Sequence, residues 1–274
     1  MEKLEAAMAR ARELRKEALE RPRAPGENAA RKTTGQADWL MTLPEITISK
    51  ALALKNRLSA VTGGKEGAPY DMLRSRTTRM MKDKGWTRLA ITSPGATCGK
   101  TTVALNLALS LSRQKDFKVM LIDLDLRRPS LHRVLGASSR KSMHEVLEGK
   151  AAFTEASYRI GDNLIVGLNV SASKRPAELL QSEATRDALN EIERNWRPDL
   201  MLFDMSPILA SDDNVGFLPN VDCALLIAAA ESTTLANIDI CEKELAQLTN
   251  VLGVVLNKCR YEDDSVGYNY GTYG

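Results

Sequence analysis

From Thr87 onward the chain alternates between two hydrophobic patterns. Unbroken apolar runs near 87–92, 118–122, 163–167, 199–203, 222–228 and 251–256 have the length of strands buried on both faces. Between them, apolar residues recur at helical spacing over 101–112, 129–135, 142–148, 176–194 and 234–248. Strand-then-helix order repeated in this way predicts an α/β fold: a mainly parallel sheet with helices on both faces. The carboxyl ends of the strands then share one edge, where such folds bind their ligands.

The pattern before Thr87 is less regular. Leu4, Met8, Ala11, Leu14 and Ala18 form an apolar stripe that predicts an amphipathic helix over 2–20, ringed by Arg10, Arg12, Arg15 and Lys16. Pro22 and Pro25-Gly26 end it, and 21–38 reads as a flexible linker. Ile46-Thr47-Ile48 predicts a short strand and Leu52 to Val61 a helix. Tyr70 to Met81 predicts a second helix with Arg74, Arg76 and Arg79 on its polar side. At the other end, YEDDSVGYNYGTYG holds Tyr261, Tyr268, Tyr270 and Tyr273 with glycines between them and no apolar period. Such a composition predicts a disordered tail. The expected organisation is a helix and linker over 1–38, a folded domain over 39–260 and a tail over 261–274.

The chemistry concentrates in Leu89–Pro129, where the apolar run Leu89-Ala90-Ile91 enters a turn of small residues and Lys100-Thr101-Thr102 opens a helix. Small residues let consecutive backbone N–H groups point at phosphate. A lysine there reaches the outer phosphates, and the next hydroxyl coordinates Mg²⁺. This is the P-loop (Walker A) pattern, with Pro94 in the slot of the first glycine and Gly95 one step later. Gly95, Ala96, Thr97, Cys98, Gly99, Lys100, Thr101 and Thr102 are its candidate nucleotide-binding residues.

Two further strands end in acid. Val119–Ile122 leads into Asp123-Leu124-Asp125, whose carboxylates at i and i+2 share a face. Beside a triphosphate such a pair needs a metal or a base role, because bare carboxylates repel phosphate. Leu200–Phe203 leads into Asp204, the Walker B arrangement, whose aspartate holds the metal through water. A P-loop and two strand-terminal acid motifs together point to a nucleoside triphosphate with Mg²⁺.

Composition narrows the setting. A net charge of +3 is too weak to argue for nucleic acid, and 43% apolar with 27% charged residues is normal for a globular chain. No run approaches the roughly 18 apolar residues of a membrane span, and Met1-Glu2-Lys3-Leu4-Glu5 does not open a signal peptide. The expectation is a cytoplasmic protein that meets the membrane only through a partner. Four cysteines without CxxC spacing, and only His132 and His144 to join them, predict neither a zinc site nor disulfides. Cys98 reads as a small residue that fits the loop.

From about Tyr70 to the C-terminus the chain resembles the bacterial tyrosine kinases (BY-kinases) of capsular and exopolysaccharide biosynthesis. The resemblance rests on Ser93–Thr102, on Val119–Pro129 (similar to the family's I-D-x-D-x-R-x-P) and on Phe203–Pro207. Ser142–Gly149, Pro176–Leu180, Leu252–Asn257 and the tyrosine-rich tail add to it. It implies a P-loop autokinase that uses ATP and Mg²⁺ to phosphorylate Tyr261, Tyr268, Tyr270 and Tyr273, and so regulates polysaccharide synthesis and export. By position, Lys100 would bind the β- and γ-phosphates, Thr101 the Mg²⁺, and Asp125 and Asp204 the metal and its waters. Asp123 would be the base, Asn257 the adenine contact, and Arg127 and Arg128 braces for phosphate or acceptor. The implied partners are a separate membrane chain-length regulator, a cognate tyrosine phosphatase and further copies of the chain.

Three departures stand out. Pro94 replaces a loop glycine, and Ser206 stands where the family usually has proline. The oligomerisation motif E-x-x-R-x-x-R reads Ala68, Asp71, Arg74, so only Arg74 matches. The rival reading is an ATP-hydrolysing switch of the septum-positioning or partition type. Those proteins carry a second lysine early in the loop, and Ser93 to Gly99 has none.

Overall fold

The computed structural model describes residues 42–259. The expected helix at 2–20, the linker at 21–38 and the tyrosine tail at 261–274 lie outside the described residues.

Seven strands form one sheet: β1 Arg88–Thr92, β2 Val119–Leu124, β3 Ser157–Ile160, β4 Leu164–Gly167, β5 Leu200–Met205, β6 Cys223–Ala229 and β7 Asn250–Asn257. Their order across the sheet is β3-β4-β2-β5-β1-β6-β7. All neighbours run parallel except β3 and β4. β1, β2, β5 and β6 are buried at every position, which is why their sequences are unbroken apolar runs rather than alternations. β7 is an edge strand and leaves Val254 and Leu256 at 44% and 59% exposure.

The helices are α1 Lys50–Lys55, α2 Ser59–Thr62, α3 Ala68–Lys84, α4 Lys100–Ser112, α5 Leu131–Leu135, α6 Met143–Leu147, α7 Pro176–Gln181, α8 Glu183–Trp196, α9 Asp213–Phe217 and α10 Leu235–Leu248. α4 is buried nearly all round, from Val103 through Leu111. Its leucines 105, 107 and 111 are wholly enclosed, each stabilising the fold by roughly 1.5–3 kcal/mol. The helix that starts at the phosphate loop is thus fixed in the core. Asn106 on it accepts the Ala60 N–H at 2.9 Å and donates to the Arg57 carbonyl at 3.0 Å, tying α2 to the same rod.

Several expectations change. The stretch 176–194 is two helices, because Ser182 adopts an extended conformation (ψ 150°) and caps α8 by accepting the Thr185 N–H. Leu52–Val61 is likewise split into α1 and α2 around Arg57, whose φ is 56°. Ile46–Ile48 contributes no strand; one parallel bridge joins Glu45 to Arg159 of β3. Arg74 does not face solvent. Its guanidinium reaches the Ser110 carbonyl at 3.2 Å and Asp71 at 2.9 Å, and Asp71 also binds Ser110 and Arg113. The one matching position of the oligomerisation motif, Arg74, and the Asp71 that replaces its first arginine are therefore engaged within the chain, between α3 and α4.

Candidate active site

The phosphate loop leaves β1 and is anchored before it turns. The Ile208 N–H donates to the Ser93 carbonyl at 2.8 Å, and the Thr92 hydroxyl donates to the Ser206 carbonyl at 2.8 Å. The loop backbone then enters the left-handed region at Thr97 (φ 68°) and Gly99 (φ 90°). Gly99 caps α4, and there a side chain has no room: a Cβ would lie 2.4 Å from Nδ2 of Asn257. That same Nδ2 donates to the Cys98 carbonyl at 2.9 Å. Asn257, at the end of β7, therefore touches the loop itself. Gly99→Ala should weaken nucleotide binding at least about tenfold, since it combines a close clash with a φ that costs an alanine roughly 1–2 kcal/mol. Titration with a fluorescent ATP analogue measures this; unchanged affinity would mean the loop does not contact nucleotide.

Sheet register brings the acids together. Asp123 of β2 pairs directly with Asp204 of β5. Both are fully buried and Asp125 is 5% exposed. Lys100 reaches across from α4, its Nζ 2.7 Å from Asp125 Oδ2 and 3.8 Å from Asp204 Oδ1. The Thr101 hydroxyl donates to Asp204 Oδ2 at 2.5 Å and lies 3.1 Å from the Ser130 hydroxyl. Asp204 Oδ1 has no hydrogen-bond partner. Burial would push Lys100 down, but Asp204 and Asp125 outweigh it and hold the ammonium above its ordinary pKa. Burial, and then the neighbouring Asp204, push Asp123 well above the usual carboxylate range. Burial raises Asp204 as well, against the opposing pull of Lys100 and the Thr101 hydroxyl.

Several residues that hold this arrangement were not singled out by the sequence. The Asp123 carboxylate accepts N–H groups from Asp125, Ser130 and Leu131, each at 3.2 Å. The Asp123 carbonyl accepts from Asn169 Nδ2 at 2.6 Å, and Asn169 in turn accepts the His144 N–H at 2.9 Å. Asn169 comes from a different strand end, 46 positions along the chain, so no local motif announces it. Arg127 is engaged by carboxylates of a distant segment. It forms a fork with Asp213, at 2.9 Å through both nitrogens, and reaches Asp212 at 3.3 Å. Arg128 is exposed, while its N–H caps Asp125 at 3.0 Å. Cys98 is buried, 3.7 Å from the Thr233 hydroxyl. Tyr261, Tyr268, Tyr270 and Tyr273 lie outside the described residues.

The residues fit a magnesium nucleotide. The loop backbone turns left-handed at Thr97 and Gly99 ahead of α4, and Lys100 supplies the cation. Thr101, Asp125 and Asp204, whose Oδ1 accepts no hydrogen bond, make up a hard oxygen set of the kind Mg²⁺ takes.

Fold and site together define a P-loop nucleotide-binding protein. The family model described as the CobQ/CobB/MinD/ParA nucleotide binding domain matches residues 89–268, and the chain belongs to that family. Among curated relatives, it is 30% identical over 222 residues to AmsA of Erwinia amylovora, which bears the name of a tyrosine-protein kinase. That match covers 78% of this chain and 30% of AmsA. It is 29% identical over 208 residues to the tyrosine-protein kinase YwqD of Bacillus subtilis, covering 75% of this chain and 85% of YwqD. Among solved structures, the kinase domain of the Escherichia coli tyrosine kinase ETK superposes with a TM-score of 0.69 at 26% identity, over 86% of this chain and 92% of that one. Within its family the chain is thus similar to bacterial tyrosine kinases, although it spans about a third of AmsA. Among the described residues, no helix is long and apolar enough to cross a membrane.

Proposed function

We propose that the chain is an ATP-dependent tyrosine autokinase that phosphorylates tyrosines of its own C-terminal segment. The observation that carries this reading is the convergence of Lys100, Thr101, Asp123, Asp125 and Asp204 on one sheet edge, in a chain that ends in four closely spaced tyrosines. Lys100 would cradle the β- and γ-phosphates, exchanging Asp125 for phosphate. Thr101, Asp125 and Asp204 would hold Mg²⁺, which when bound neutralises charge on the transferring phosphoryl group. Asp123 takes the proton of the acceptor hydroxyl as the tyrosine oxygen bonds to the γ-phosphorus. The bond from that phosphorus to the bridging oxygen breaks, and ADP leaves. A tyrosine of pKa near 10 needs such a base at neutral pH, and a carboxylate raised above its usual range is a stronger base once ionised. Asn257 would contact the adenine while it supports the loop.

By similarity to kinases of this kind, the reaction would regulate capsule or exopolysaccharide synthesis and export. Its partners would be a separate membrane chain-length regulator that holds the protein at the inner face of the membrane, a tyrosine phosphatase and further copies of the chain. Incubation of the pure protein with ATP and Mg²⁺, followed by mass spectrometry of the 261–274 peptide, tests the activity. Phosphotyrosine there is the expected result. Phosphate release with an unmodified tail would favour the ATP-hydrolysing switch.

A further inference from the structure

Next to Arg127, two residues past Asp125, lies a depression of about 380 Å³ whose charged rim is formed by Arg127, Lys174, Arg175, Glu178 and Asp212. One backbone bond ties it to the acid motif. The Ser173 N–H donates to the Leu126 carbonyl at 2.9 Å, which hangs Lys174 and Arg175 next to the Asp125–Arg127 turn. The charges on the rim are not evenly matched. Arg127 takes Asp213 and Asp212 directly and also feels Glu178. Lys174 and Arg175 are exposed and have no ion-pair partner among the described residues. Two cations without such partners therefore stand exposed beside the turn that carries Asp125.

The nearest acceptor in the sequence needs such cations. Tyr261 is followed at once by Glu262, Asp263 and Asp264. Brought close to Asp123, Asp125 and Asp204, those carboxylates would be repelled unless positive groups flanking the entrance received them. We propose that the depression is an acceptor subsite: Lys174 and Arg175 bind the carboxylates that follow the tyrosine, and the occupant is this chain's Tyr261–Asp264 segment. This rests on the kinase reading and adds its substrate class, tyrosines followed by acidic residues.

The test compares two synthetic acceptors, RYEDDSVG and RYKKKSVG, with the full chain and with its Lys174→Glu/Arg175→Glu variant. Two exposed charge contacts at somewhat under 1 kcal/mol each amount to about tenfold in acceptor kcat/KM. The wild type should favour the acidic peptide by about that factor, and the variant should favour the lysine peptide. Because the readout is the ratio between two peptides, any general loss of activity cancels. Equal preference in wild type and variant would overturn the subsite while leaving the kinase reading in place. If the wild type hydrolyses ATP but labels neither peptide, the kinase reading fails and the subsite with it.

Discussion

Lys100→Met should abolish tyrosine phosphorylation, lowering phosphoryl transfer by about 10³-fold or more, because in the proposed mechanism the lysine is the cation that faces the transferring group. The structure adds a cost that loop chemistry alone does not suggest. Lys100 is the partner of Asp125 at 2.7 Å and lies beside Asp204, all three being largely buried. Methionine would leave three neighbouring carboxylates without a cation, and breaking a buried pair in this way costs about 3–5 kcal/mol. The unliganded variant should therefore fold but melt lower at neutral pH, and should recover part of the loss on acidification, when the carboxylates are protonated. Circular-dichroism melts alongside phosphotyrosine blots separate the two effects. Undiminished phosphotyrosine would remove Lys100 from the chemistry.

The second large effect is expected at Asp123. Asp123→Asn should lower kcat by about 10²- to 10⁴-fold, the usual worth of a positioned base, while ATP affinity stays within a few-fold. Asp125→Asn should instead weaken Mg²⁺-dependent nucleotide binding. A larger kcat loss in Asp125→Asn, with binding retained, would transfer the role of base to Asp125. Stability gives an independent reading of the same carboxyl. Its folded-state pKa is raised by burial and by Asp204, so its contribution is full below the ordinary aspartate range near 3.9 and is lost as pH rises through the raised value. Without nucleotide and Mg²⁺, the wild type should therefore lose stability relative to Asp123→Asn between mildly acidic pH and neutrality. A difference that stays flat across that interval would mean Asp123 is not perturbed.

The parts of this protein that can be read from sequence are those whose cause is local. β2 and β5 are uninterrupted apolar runs because both of their faces are covered, and the acids Asp123, Asp125 and Asp204 are visible as the points where those runs stop. The phosphate loop is legible because its chemistry is written in adjacent residues. β3 escaped because an antiparallel edge strand of sequence Ser157-Tyr158-Arg159-Ile160 is half-exposed and has no apolar run. Asn169 and Ser130 escaped because an ordinary polar residue becomes a support only through its partners, the Asp123 carbonyl 46 positions from Asn169 and the Thr101 hydroxyl 29 positions from Ser130. Arg127 is partnered in the same non-local way: it follows the acid motif, where a brace for phosphate or acceptor is expected, and two carboxylates more than 80 positions away hold it. Helical period puts Arg74 on the polar side of α3, and a serine and an aspartate on the α3–α4 seam hold it inward there.

The central claim is that this site moves phosphate from ATP to tail tyrosines, and that neighbours serve as acceptors. A mixing experiment tests it most directly. Full-length Lys100→Met, unable to act, is combined with active protein truncated after Arg260, which has no tail to label, in the presence of γ-labelled ATP and Mg²⁺. Labelled tyrosine within 261–274 of the inactive chain is the predicted result. Free phosphate released with no label on either chain, while the full-length wild type also remains unlabelled, would contradict the account.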